Sequence, residues 1–162
     1  MKHKRCATLR ILLAAVLGVT VSLPAHGKPR GCFTAAEHNA ERVVRHGIFL
    51  REMAVRCDGV PFSMGTVAVW ADLEARVGPQ FKRLTDLRQR GFEREFEKRA
   101  QQIMFAWDGR LVMQNRHMFL TKPQCDDAKK QMEEGTKRGF AAIRKQADKM
   151  RNEVYGDYKI CN

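Results

Sequence analysis

The sequence contains no glycine-rich phosphate loop, no nucleophile elbow, no Cys-x-x-Cys-His haem motif and no zinc-hydrolase or paired-carboxylate spacing. The missing haem motif excludes covalently attached haem. The other absences leave no visible nucleophile–base or metal–base arrangement, so the chain reads as a non-enzyme. No repeat of fixed period, low-complexity run or interdomain linker occurs, and no segment alternates apolar and polar residues as a half-buried strand does. Acids are scarce: 18 Asp and Glu stand against 30 Lys and Arg, a formal net charge of +12.

Long apolar runs are lacking too. The longest, residues 11–23, is about 13 residues, whereas a membrane-spanning helix needs about 20. Lys2, Lys4, Arg5 and Arg10 precede it, and the small residues Ala25 and Gly27 follow. That order fits a cleaved secretory signal over residues 1–27, cut after Ala25 or Gly27, and fits a short transmembrane anchor less well. Cys32 is preceded by "KPRG" and Cys6 lies ahead of the apolar run, so neither sits where a lipidated cysteine would. Residues 28–162 then form one domain, long enough for a core of its own. Loss of the four signal cations lowers +12 to +8. Loss of Cys6 leaves four cysteines for an oxidising compartment, periplasmic or extracellular, which favours two disulfides over metal ligands or catalytic thiols.

What remains is helical pattern. Thr34 and Glu37 have the spacing of a capping box. Ala36, Ala40, Val43, Gly47, Leu50, Ala54 and Cys57 then alternate steps of three and four, one apolar stripe of an amphipathic helix. Asp58, Gly59 and Pro61 stop it. A second helix is expected over 63–77, broken or kinked at Gly78 and Pro79. A third is expected over 79–107, with a kink at Asp108 and Gly109 before a short piece over 111–119. Thr121 and Gln124 mark a last start, and the helix that follows carries Ala128, Met132, Gly135, Gly139, Ile143, Ala147, Met150 and Val154 on one face up to Gly156. The expected fold is all-α, a disulfide-stapled bundle of about four helices with up-down connectivity.

Helix length constrains the cysteines. An unbroken helix to Cys57 separates it from Cys32 by roughly 35 Å, whereas a disulfide needs Cα atoms within about 7 Å. The helix after Cys125 is longer still, and the tail to Cys161 is too short to return along it. In an up-down bundle Cys57 and Cys125 share one pole and Cys32 and Cys161 the other. The expected pairs are Cys32–Cys161 and Cys57–Cys125; the rival is sequential pairing, with Cys32–Cys57 closing a hairpin bent at His46 and Gly47. Gly47 and the pair Gly135 and Gly139 fall on the stripes of the first and last helices, where two backbones could meet closely.

Of the histidines, His38 and His46 have no second ligand at metal spacing and read as surface or boundary residues. Met113, His117 and Met118 are the one cluster suited to a soft metal such as Cu(I), with methionines filling core gaps as the plainer reading. No cofactor is called for.

The charge surplus is concentrated in "FKRLTDLRQRGFEREFEKR", which supplies Lys82, Arg83, Arg88, Arg90, Arg94, Lys98 and Arg99. Interleaved glutamates make this first a solvated helix face, and second a basic patch for an anionic partner. For an exported protein that partner is an anionic envelope component (lipopolysaccharide, phospholipid headgroups or another polymer) or an acidic protein, rather than nucleic acid. The expectation is an exported, non-enzymatic binding protein. The competing readings are a periplasmic stress chaperone or protein inhibitor, and a haem or copper carrier of four-helix-bundle type.

The layout also resembles small exported, cysteine-containing helical proteins of Gram-negative bacteria. "FLREMAVRCDG" corresponds to their first helix ending in a cysteine, Phe62 onward to an aromatic-led second helix, and Cys125 to a later cysteine. The segment "MQNRHMFLTKPQC" departs from the Ala-Asn pattern expected there. The resemblance implies export, helices and disulfides, and no catalytic residue.

Overall fold

The computed structural model describes residues 30–150 and 159–161, so the signal segment, Val154 and Gly156 lie outside the described residues. A two-residue strand, β1 (Cys32–Phe33), leads into helix α1 (Ala35–Cys57). The capping box forms as its spacing demands: Thr34 Oγ1 accepts from the Glu37 amide, and Glu37 accepts from the Thr34 amide at 2.8 Å. The predicted stripe is buried from Ala40 to Cys57, with Ala36 alone left exposed.

Helix α2 (Thr66–Phe96) runs antiparallel to α1. Thr66 Oγ1 donates to Ala54 O at 2.7 Å near one end, and Arg94 reaches Glu37 near the other. Of the break or kink expected at Gly78 and Pro79, the break does not occur: α2 passes through both. Proline removes one donor and frees the carbonyl four residues earlier. Pro79 and Ala75 both face solvent, where that carbonyl can be hydrated, while Val77 and Phe81 hold the helix in the core.

The chain turns instead at Glu97, which takes φ 48° and opens a single 3₁₀ turn, Glu97–Arg99. A positive φ at a glutamate costs about 1 kcal/mol or more. The turn returns Ala100, Ile103 and Met104 onto Phe33 and Phe92. Helix α3 (Ala100–His117) then runs unbroken through Asp108 and Gly109, so no separate short helix follows them.

Helix α4 (Lys122–Arg138) starts at a second capping box, Thr121 with Gln124. The single last helix expected from the sequence is two: α4 stops at Gly139, whose φ of 76° suits glycine, and α5 (Phe140–Ala147) doubles back. The return is visible where Gln146 donates to Gln131 O at 3.1 Å. Gly135 permits it, since a β-carbon there would lie 2.5 Å from Ile143 Cδ1 and 2.8 Å from Leu73 Cδ1. Gly47 is also a close approach, but to Phe81 of α2 at 2.8 Å, not to Gly135 or Gly139; Gly139 shapes the backbone and packs against nothing.

Both crossed disulfides are present: Cys57–Cys125 at one pole and Cys32–Cys161 at the other, with Cα separations of 5.4 and 5.1 Å. The chain-entropy account values each, taken alone, at about 4–5 kcal/mol. The second is accompanied by a short parallel pairing of β1 with β2 (Lys159–Ile160), which no sequence alternation announced. The main core joins Leu50, Leu73, Val77, Met132 and Ile143 from α1, α2, α4 and α5. A smaller cluster of Met53, Cys57, Cys125 and Ala128 lies under the first disulfide.

Candidate functional site

The predicted basic patch on α2 is divided by the fold. Arg88 is 2% exposed, and its guanidinium forks onto Asp108 of α3, with Nη1–Oδ1 at 2.8 Å and Nη2–Oδ2 at 2.7 Å. Arg94 bonds Glu37, Glu95 and the Cys32 carbonyl, clamping the start of α1 to the end of α2. Those bonds, led by that to Glu37, raise the already high pKa of Arg94. Burial works to raise the Glu37 carboxyl, but the bonds from Arg94 and from the Thr34 amide outweigh it and hold the group below its ordinary value. These two arginines are structural: Arg88 is sealed from solvent, and the Arg94 guanidinium is spent on two carboxylates and a carbonyl. Lys82 pairs with Asp86 at 3.0 Å on the surface. Arg83, Arg90, Lys98 and Arg99 stay exposed without an ion pair among the described residues.

A second set of cations, missed by that reading, gathers on the α4–α5 hairpin. Lys130, Lys137, Arg144, Lys145 and Lys149 are all exposed and carry no ion pair among the described residues. Doublets at 129–130, 137–138 and 144–145, seven or eight residues apart, were the available signal. The fold at Gly139 brings their ends together: Lys130 and Lys149 share a cleft of about 470 Å³, with His46 and Phe49 among its lining residues. On the other side of Gln146, a shallower cleft of about 390 Å³ has Arg138, Lys145 and Lys149 at its edge and Ala141 and Ala142 in its wall.

His46 is not the boundary residue expected. It is 3% exposed, and its Nε2 meets Gln146 Oε1 at 3.1 Å, tying α5 to α1. The Gln146 amide nitrogen donates to Gln131 O, so its oxygen accepts and His46 Nε2 carries the hydrogen. Burial pulls the His46 pKa below its ordinary value, with the Gln146 bond opposing, so the ring is neutral. Its Nδ1 is sealed from solvent as well as unbonded, so it is turned away from any ligand in the cleft. His38 is half-buried, and burial, followed by the charges of Arg42 and Arg45, lowers its pKa.

The proposed copper trio is not assembled. α3 ends at His117, and Met118 takes an extended conformation that carries its side chain into the cluster beneath the Cys57–Cys125 disulfide. Met113 and His117 remain exposed. Among the described residues no three His, Cys, Asp or Glu side chains are grouped for a metal, and no helix is long and apolar enough to cross a membrane.

At the disulfide pole three large apolar side chains stand in solvent. Val60, Met64 and Phe119 are 89%, 65% and 84% exposed, although Phe62, Met118 and Leu120 beside them pack inward. Compared with protein-family models, with curated proteins and with solved structures, the chain matches none.

Proposed function

We propose that the protein is an exported, non-enzymatic binding protein of the cell envelope, whose basic surface engages an anionic envelope component. The observation that carries the reading is the set of exposed, unpaired cations on the α4–α5 hairpin, Lys130, Lys137, Arg144, Lys145 and Lys149. Cations without intramolecular partners attract an anionic surface at no cost in broken ion pairs. Two disulfides support an oxidising compartment. The signal-like N-terminus and the layout shared with small exported cysteine-containing proteins support export.

The test is retention of the oxidised protein on lipopolysaccharide and on phosphatidylglycerol-containing vesicles, against phosphatidylcholine vesicles as the neutral control. Retention is expected on the anionic surfaces alone, and it should weaken as salt shortens the Debye length from about 10 Å at 0.1 M to about 3 Å at 1 M. The triple reversal Lys130→Glu, Lys145→Glu, Lys149→Glu should remove most of it. Equal retention on neutral vesicles, or none on any anionic surface, contradicts the reading.

A further inference from the structure

The pole closed by Cys57–Cys125 is built from two loops, residues 58–65 between α1 and α2 and residues 118–121 between α3 and α4. The second loop enters and leaves through the extended residues Met118 and Thr121, and its side chains alternate between core and solvent. Met118 and Leu120 turn into the cluster around the disulfide, and Phe119 between them is driven outward. In the first loop Phe62 faces the same cluster, while Val60 and Met64 face solvent.

Neither loop is free to fold its apolar tip away. Asp58 Oδ1 accepts from the Gly65 amide at 2.6 Å and the Thr66 amide at 3.2 Å, fixing the first loop on the start of α2. Arg56 donates to the carbonyls of Asn115 and Met118, fixing the base of the second. Ser63 donates to Asp126, and Lys129 Nζ donates to Met64 O at 2.8 Å, joining the first loop to α4. Other large apolar side chains are exposed, Phe105 and Val55 among them, but here three stand together on two loops that hydrogen bonds tie down, which marks an interaction face.

We propose that this pole is the face that meets an anionic phospholipid bilayer, with Val60, Met64 and Phe119 entering the headgroup–acyl boundary. The inference rests on the envelope-binding reading above and names its contact face. Charge complementarity selects lipid as the occupant. Lys129, whose Nζ holds Met64 O, carries no ion pair among the described residues, Lys130 follows it on α4 and is likewise unpaired, and Lys122 stands beside Ser63 in its pair with Asp126. Asp58 is engaged by the Gly65 and Thr66 amides and Asp126 by Lys122 with Ser63, while the neighbouring Asp127 accepts from the Gln131 side-chain amide. Apolar tips and cations on one face reproduce the two signals that hold peripheral proteins at an anionic interface.

The test is flotation of the oxidised protein with phosphatidylglycerol–phosphatidylethanolamine vesicles. Parent protein is compared with Val60→Ser/Met64→Ser/Phe119→Ser, and thermal melting checks that both are folded. The triple variant should lose at least about tenfold in partitioning, about 1.4 kcal/mol, and the loss should persist at high salt, where the electrostatic part is screened. Lys130→Glu/Lys149→Glu should instead lose its effect at high salt. If the triple variant floats as the parent does, the pole is not the lipid face, although the electrostatic reading stands. If neither floats and neither is retained on lipopolysaccharide, both fail. Self-association of the parent in sedimentation velocity without lipid, abolished in the triple variant, would assign the pole to a second copy and overturn the proposal.

Discussion

Arg45 Nη2 stands 3.4 Å from Glu41 Oε2, one turn along α1, and both side chains are inside the bundle. Glu41 is fully buried, with neither carboxyl oxygen in a hydrogen bond. Burial dominates its ionisation and raises its pKa to about 7 from an ordinary 4.5; the charges of Arg45, Arg88 and Arg42 pull it down, and Asp108 pushes it up. An ion pair without hydrogen bonds does not compensate the loss of water.

The unfolded Glu41 carboxyl ionises near 4.5 and the folded one near 7, so between those values the folded state holds the extra proton. Raising the pH through this window therefore favours unfolding. The parent is predicted to lose on the order of 3 kcal/mol through this one group between pH 4 and 8. Glu41→Gln, which stays neutral, should flatten that slope. Urea midpoints at pH 5 and pH 8 for both proteins check it; parallel pH dependence in the two would contradict it.

The buried Arg88 and the half-buried Asp108 form the fork between α2 and α3. Asp108→Ala leaves a guanidinium sealed from water without its carboxylate, at an expected cost of about 3–5 kcal/mol. Arg88→Met combined with Asp108→Leu removes both charges and should recover most of that loss. Denaturant melts of the parent, the single and the double variant read the difference.

Gly135 lies where α4, α5 and α2 meet. Alanine improves helix propensity there by about 1 kcal/mol, but its methyl would overlap Ile143 Cδ1 and Leu73 Cδ1. Overpacking of about 1–3 kcal/mol should win, giving a net destabilisation of roughly 1 kcal/mol for Gly135→Ala. Ile143→Val deletes the nearer clashing atom, so the two substitutions together should cost less than their sum in a double-mutant cycle.

Much of the fold is written locally. Thr34 with Glu37 and Thr121 with Gln124 are start signals that need no tertiary context, and both form. The cysteine pairing followed from helix length together with up-down connectivity. The breaks were misread because their outcome depends on which side faces water. Pro79 is tolerated on a solvent face, and the turn at Glu97 is imposed by Phe92 and Trp107 packing with no turn residue to announce it.

The surface was less legible than the core, for a definite reason. Arg88 and Arg94 look like their exposed neighbours until Asp108 and Glu37, 20 and 57 residues away, reach them. Phe119 reads like any core aromatic until the disulfide shows which way Met118 and Leu120 must turn.

Contact between the Phe119 tip and lipid is tested most directly by the emission of a Phe119→Trp variant, read as the difference from the parent with its native Trp70 and Trp107. Phosphatidylglycerol vesicles containing phospholipid brominated near the headgroup should shift the added emission to the blue and quench it. Added emission that neither shifts nor quenches while the protein is vesicle-bound would contradict the account.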